Sequence, residues 1–213
     1  MLASRVGEAC VFALATLGVC HLVVADINLN AANAVAAACK TKAKHGTFAA
    51  DAMVFNIASA ESIDSAVASA FKVLQRIDYF IHAVGFGNMM NIHVAGTFLA
   101  ARAVSNAMRS QDPIAISNQA PGRGLTRRCI VIIGSASAFV ATPSMIQYTT
   151  PKHAVLGLTK NAALDNAAHA IRANRVCSAW VDTPMIRKAM TDIPELAKMI
   201  QSSLPTSRED HNG

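Results

Sequence analysis

Tyr148 and Lys152 stand four residues apart in the segment Tyr148-Thr-Thr-Pro-Lys152. On a helix that spacing puts both side chains on one face, a single turn apart. An ammonium held beside a phenol favours the phenolate. A hydroxyl activated in this way can protonate a carbonyl oxygen while hydride reaches the carbon, or take the proton back in the reverse direction. Pro151 lies between the two, which a helix accepts in its first turn, where the missing N–H would have no intrahelical partner. Ser135 follows the apolar run 130–133 and offers a second hydroxyl where a strand ends. Its alternative use is to cap a turn.

The elements that must position these groups alternate in type. An apolar helix to about Leu17, a turn at Gly18 and a strand at 19–25 come first. Helix 31–43, strand 47–55, helix 62–76 and the apolar run 79–84 follow. Then come helix 93–109, strand 129–134, helix 148–168, strand 173–179 and a helical tail at 183–203. The stretch 110–128 holds Pro113, Pro121, Gly122 and Gly124 among polar residues and reads as a surface loop. Strands separated by helices of this length imply crossover connections and a parallel sheet in one α/β domain. Ligands of such sheets bind beyond the carboxyl ends of the strands.

Composition narrows the function classes. With 53% hydrophobic and only 15% charged residues, the chain has the long apolar runs of strands buried on both faces. The net charge of +6 raises a nucleic-acid partner, but the basic residues are scattered. The tightest groups, Lys40–Lys42–Lys44 and Arg123–Arg127–Arg128, read as solvated surface charge, and 5% aromatic residues give few stacking platforms. Five cysteines without CxxC spacing read as small core residues rather than as zinc ligands or disulfides. A reducing, cytoplasmic compartment follows. The apolar stretch 9–25 raises a leader or an anchor, against which Glu8, Gly18 and its β-branched far end favour a helix and a strand of the core. Neither nucleic acid nor membrane is expected as a partner.

Four segments carry a resemblance: GSASAFVATPSMIQYTTPKHAVLGLTK at 134–160, IRANRVCSAWVDTPMI at 171–186, HVAGTFLAARAV at 93–104 and VVADIN at 23–28. In order and spacing the chain resembles, over nearly its whole length, the classical short-chain dehydrogenase/reductase family. The resemblance implies a single Rossmann-type domain over 1–213, with a doubly wound parallel sheet. It implies an oxidoreductase moving hydride between NAD(P) and the carbonyl or secondary alcohol of a small to medium hydrophobic substrate. Tyr148 would be the proton donor or base, Lys152 would favour its phenolate and bind the nicotinamide ribose, and Ser135 would polarise the substrate carbonyl. Tyr148 and Lys152 would thus both face the cofactor. Val181 and Thr183 would meet the carboxamide side of the nicotinamide and its phosphate. Asp26 would accept hydrogen bonds from the adenosine ribose and repel a 2′-phosphate, which favours NAD; capping a helix or serving as a turn residue is its other use. Trp180, Met185, Ile186 and Met190 would form an apolar lid. The family also implies a homo-oligomer, for which Ala154, Leu158 and Ala162 make a compatible face.

The departures from the family pattern are as specific as the matches. Of the glycine-rich phosphate turn only Gly7 remains, with Arg5 where a glycine is expected, and the family's first and last strands are not matched. His82-Ala-Val-Gly85 stands where the family has Asn-Asn-Ala-Gly, leaving Gly85 as the cofactor-side glycine. The family's catalytic asparagine falls on His93, which could hold a water or relay a proton or simply be a polar residue on a half-buried helix. Ser178-Ala179 replaces the usual Pro-Gly. A catalytically inactive, truncated relative or an interaction partner of an intact one is therefore the competing expectation.

Overall fold

The computed structural model describes residues 5–83, 89–117, 121–141, 145–192 and 194–203. By compactness the chain divides into two units, Met1–Cys177 and Ser178–Gly213. In the first, α1 (Arg5–Thr16) leads through a turn at Gly18 (φ +88°) into β1 (His21–Asp26). Only glycine adopts such a φ without steric penalty, so the glycine is what lets the chain reverse there. Next come α2 (Leu29–Lys40), β2 (Ala49–Val54), α3 (Ala60–Leu74) and β3 (Tyr79–His82). The Asn28 side chain caps α2 by accepting from the Ala31 N–H, and Ser59 caps α3 by accepting from Ser62. A π-helix, Met89–Gly96, runs into α4 (Thr97–Arg109). After the two-residue strands β4 (Ile114–Ala115) and β5 (Leu125–Thr126) come β6 (Arg128–Ile133), α5 (Ile146–Ala167) and β7 (Ile171–Val176).

The long strands form parallel ladders. β1 pairs with β2 from His21–Ala49 to Asp26–Val54, and β6 lies between β3 and β7. Among the described residues β6 is the only strand of that sheet with neighbours on both sides, which fits its unbroken apolar run from Cys129 to Ile133. Ile130 and Ile132 join Val104, Met108, Val155 and Ile171 in the main core, between α4, α5 and the sheet. At β7 burial alternates, with Ile171 and Ala173 inside and Arg172 and Asn174 outside.

The parallel α/β architecture is the expected one, but the sheet is divided. Among the described residues β1 pairs with β2 alone and β3 with β6 alone. Between the two edges lies a cavity of about 210 Å³, walled by Val23 of β1, Phe80 and His82 of β3, Gly7 and Val11 of α1, and Ala70 of α3. The cavity also borders α1. Expected as a buried helix, it has, among its described side chains, only Gly7 and Ala15 buried, and the face with Gly7, Cys10, Val11 and Leu14 looks onto this cavity.

Several local expectations are corrected. The stretch 110–128 is more than a surface loop, since β4 and β5 form an antiparallel ladder within it. Arg127 and Arg128, expected as solvated charge, are half-buried pins. Arg127 donates to the carbonyls of Gln111 and His169, and Arg128 pairs with Asp78 at 3.3 Å. Of the cysteines, Cys39 and Cys129 are buried, but Cys20 is exposed just before β1. α5 starts at Ile146 rather than at Tyr148, so Pro151 sits in the second turn and removes an intrahelical N–H. Full burial of its ring offsets that loss. Leu158 and Ala162, assigned to an oligomer face, pack in part against the chain's own core.

Gly96, where the π-helix meets α4, is packed without slack. A Cβ there would lie 2.7 Å from both the Ile57 side chain and the Ile57 carbonyl oxygen. A backbone oxygen cannot swing aside, so Gly96→Ala is expected to destabilise the protein by about 1–3 kcal/mol. Urea unfolding checks this: a lower midpoint at unchanged slope supports it, and a midpoint matching the wild type would refute it.

In the second unit, α6 (Pro184–Asp192) and α7 (Pro194–Ser203) pack on each other. Thr183 starts α6, its hydroxyl accepting from the Ile186 N–H and its carbonyl from the Arg187 N–H. The tail, read as one helix, is therefore two. Among the described residues no helix is long and apolar enough to cross a membrane.

Candidate active site

The site is built at the carboxyl end of β6, the strand with neighbours on both sides. The chain leaves that strand through Gly134, whose Hα side faces Arg175 of β7. A Cβ at Gly134 would overlap the Arg175 Nε. Ser135 follows in extended conformation and is buried. Its hydroxyl accepts from the Ser137 N–H at 3.2 Å and caps a short 3₁₀ turn, Ala136–Ala138, which packs against α5. The capping use of Ser135 is thus seen directly, and it leaves the hydroxyl proton for another partner.

α5 brings Tyr148 and Lys152 onto one face. The Lys152 Nζ lies 5.2 Å from the centre of the Tyr148 ring, in a cation–π arrangement. Lys152 is 6% exposed, an exceptional burial for a lysine. Burial, and then the neighbouring Arg175 guanidinium, push its ammonium down from the ordinary lysine value to about 8, with Cys177 pulling the other way. The group therefore titrates near the working range.

His93 completes this cluster. It is buried on the π-helix, and its Nδ1 is 3.3 Å from the Lys152 Nζ. A π-turn shifts side chains off the α-helical pattern and is frequent at functional sites. His93 is thus a buried residue in contact with Lys152. Two further residues complete the surroundings, and sequence reasoning assigned neither a role. Arg175 donates from Nη1 to the Lys152 carbonyl at 2.8 Å. His82, the last residue of β3, is buried, and burial, then His93, push its imidazole down to about 3, so it is neutral. Both left a signal in the sequence: Arg175 is in phase with the buried Ile171 and Ala173 of β7, and His82 ends an otherwise apolar strand.

The expected cofactor residues are not all brought together. Asp26 ends β1 at the same, carboxyl, edge of its own ladder. It is 1% exposed, and its Oδ1 accepts from the Asn28 N–H at 2.8 Å. Gly7 lies within α1, on the wall of the large cavity. Gly85 is outside the described residues. Val181 and Thr183 belong to the second unit. Of the residues assigned to a lid, Ile186 and Met190 are half-buried on α6 and Trp180 precedes it. Among the described residues no group of three or more His, Cys, Asp or Glu side chains could hold a metal ion.

Comparison with known proteins identifies the family. The sequence profile of a family described as enoyl-(acyl carrier protein) reductase matches residues 2–211. Short-chain dehydrogenase srdC of Neurospora crassa is 50% identical over 222 residues, 97% of this chain and 82% of the relative. Short-chain dehydrogenase RED2 of Pyricularia oryzae is 49% identical at the same coverage. Among solved structures, an NAD+-bound xylitol dehydrogenase superposes with a TM-score of 0.79 at 23% identity, over 95% of this chain and 81% of that one. Levodione reductase superposes at 0.74 and 22% identity, over 92% and 76%. With a Tyr–Lys pair on one face of α5, a parallel α/β fold and relatives of half-identical sequence, the chain belongs to the short-chain dehydrogenase/reductase family of oxidoreductases.

Proposed function

We propose that this chain transfers hydride between NAD(P) and the carbonyl or secondary alcohol of a small to medium hydrophobic substrate, working as a single Rossmann-type domain. The observation that carries the reading is the buried ammonium of Lys152 over the Tyr148 ring, with His93 against it. A lysine is driven into such a site against its own desolvation, and proton transfer at a neighbouring hydroxyl is the chemistry that uses it. The residues present fit a dinucleotide. Asp26 ends β1 with a carboxylate that suits ribose hydroxyls, and Lys152 lies beyond the end of β6 with an ammonium that suits a second ribose. Bound there, the nicotinamide supplies or accepts the hydride.

The rest is done by the chain's own groups. In reduction, Tyr148 gives its phenolic proton to the substrate oxygen, Lys152 stabilises the phenolate that remains, and His93 receives the ammonium's hydrogen bond. Ser135 directs its hydroxyl proton at the same substrate oxygen. In oxidation the proton travels from the alcohol to the phenolate. Asp26 disfavours a 2′-phosphate by like-charge repulsion, so NAD is the preferred partner. A second copy of the chain is the expected partner in assembly, with the exposed Phe98 of α4 and Leu164 of α5 as apolar contacts.

The divided sheet favours one other reading, a catalytically silent chain that acts by pairing with another protein. Titration of the full chain with NADH and NADPH, read by nicotinamide fluorescence, separates the two. Saturable binding, tighter for NADH by a factor that shrinks in Asp26→Asn, is the outcome expected of the enzyme. Soluble, folded protein that binds neither dinucleotide is the outcome expected of the silent partner.

A further inference from the structure

Behind the Tyr148–Lys152 pair the chain encloses a second, much smaller cavity of about 10 Å³. It is walled by His82, His93, Thr97, Lys152 and Arg175, together with Ile132, Ile133 and Val155. That volume is close to the least that one water occupies, and the walls offer the two to four polar groups an internal water needs. Two of the wall residues carry a buried polar atom with no hydrogen-bond partner, the Nε2 of His82 and the Nε of Arg175. The two are complementary. The guanidinium Nε–H can only donate. The His82 imidazole is neutral, and with its proton on Nδ1 its Nε2 is an acceptor. Leaving both without partners in the interior would be costly, and one water that accepts from Arg175 and donates to His82 satisfies both.

We propose that His82 is a positioning residue for Lys152: a single buried water joins its Nε2 to the Arg175 Nε–H and so fixes the guanidinium that holds the Lys152 carbonyl. The proposal takes from the functional reading the role of Lys152, and adds the device that places it. Arg175 is held at one end by this water and at the other by the Lys152 carbonyl at 2.8 Å, with Gly134 leaving it room. The ionisable groups facing the cavity are His82 from β3, His93 from the π-helix, Lys152 from α5 and Arg175 from β7, with Tyr148 and Cys177 beside Arg175. None of the wall residues is a carboxylate. A neutral acceptor at position 82 therefore has no anionic substitute, and an apolar side chain there would leave Arg175 unanchored.

The test reads Lys152 itself and does not depend on turnover. In the full chain with ¹⁵Nζ-labelled lysines, the Lys152 resonance is assigned by its loss in Lys152→Met and titrated in wild type, His82→Gln and His82→Leu. Glutamine keeps an acceptor oxygen for the water, so its Lys152 midpoint should match the wild type. Leucine removes the acceptor and frees the like-charged Arg175, so the midpoint should rise by on the order of one unit. Equal midpoints in wild type and His82→Leu overturn the proposal. So does an equal shift in both variants, which would assign the effect to the shape of the side chain. A measurement on the unaltered protein keeps the test independent of variant folding. The ¹⁵N shift of His82 Nε2 should be that of a hydrogen-bonded, unprotonated nitrogen, and the shift of a free one overturns the proposal. Failure of Tyr148→Phe to lose activity would instead count against the functional reading and leave these NMR results standing.

Discussion

Replacing Tyr148 by phenylalanine is expected to lower turnover by about 10²- to 10⁴-fold, the usual worth of a positioned general acid, while leaving dinucleotide affinity unchanged. The change removes one oxygen from a half-buried ring. The Lys152 ammonium lies against the face of that ring, 5.2 Å from its centre, and the phenylalanine face attracts a cation as well. The helix and its packing should therefore survive, so that lost activity reports lost chemistry. Steady-state rates at saturating substrate, with fluorescence titration of NADH on the same preparation, separate the two effects. A Tyr148→Phe protein with full activity would remove the phenol from the mechanism. A protein that loses cofactor binding together with activity would show that the hydroxyl belongs to the binding site instead.

The parts of this site that were legible in the sequence are those with local causes. The spacing of Tyr148 and Lys152 places both on one face of a helix whatever surrounds it, and the apolar run at β6 could only be a strand covered on both faces. Asp26 was readable as the end of a strand, but the capture of its Oδ1 by the Asn28 N–H depends on how the turn into α2 closes. The contact between His93 and Lys152 joins residues 59 apart and depends on the π-turn that Gly96 permits by its close approach to Ile57. No periodicity announces a π-turn. Pro151 misled in the opposite direction, since it was expected in the first turn of the helix and lies in the second.

Strand pairing was the least legible feature, for a physical reason. An apolar run specifies that a strand is buried, but not which neighbour buries it. β1 and β3 have the composition of strands inside one continuous sheet, and their facing edges are separated by the large cavity. His82 lines that cavity on one side and the small polar cavity behind Lys152 on the other. The wall around Lys152 and the division of the sheet thus meet at one residue.

The burial of Lys152 has a measurable consequence in the opposite sense to activity. Lys152→Met is expected to abolish turnover and, at pH 7, to make the protein more stable. The ammonium is held down to about 8 in the folded chain, against 10.5 for an unperturbed lysine. Between those values the unfolded chain binds more protons than the folded one, so stability rises with pH across that interval. Below pH 8 both states are protonated and the whole penalty is present, roughly 3 kcal/mol at 1.36 kcal/mol per unit. Above 10.5 both are neutral and it is gone. Methionine has a similar length, no charge, and the flexibility to fill an irregular site. It forfeits the hydrogen bond to His93 and the cation–π contact, which lowers the expected gain to about 1–2 kcal/mol. Urea unfolding of wild type and Lys152→Met at pH 7 and at pH 10 reads the sign directly. A gain at pH 7 that shrinks toward pH 10 means that the fold holds this cation against its own stability, as a catalytic site does. A loss at both pH values would mean that the ammonium stabilises the fold, and that Lys152 is a structural pin.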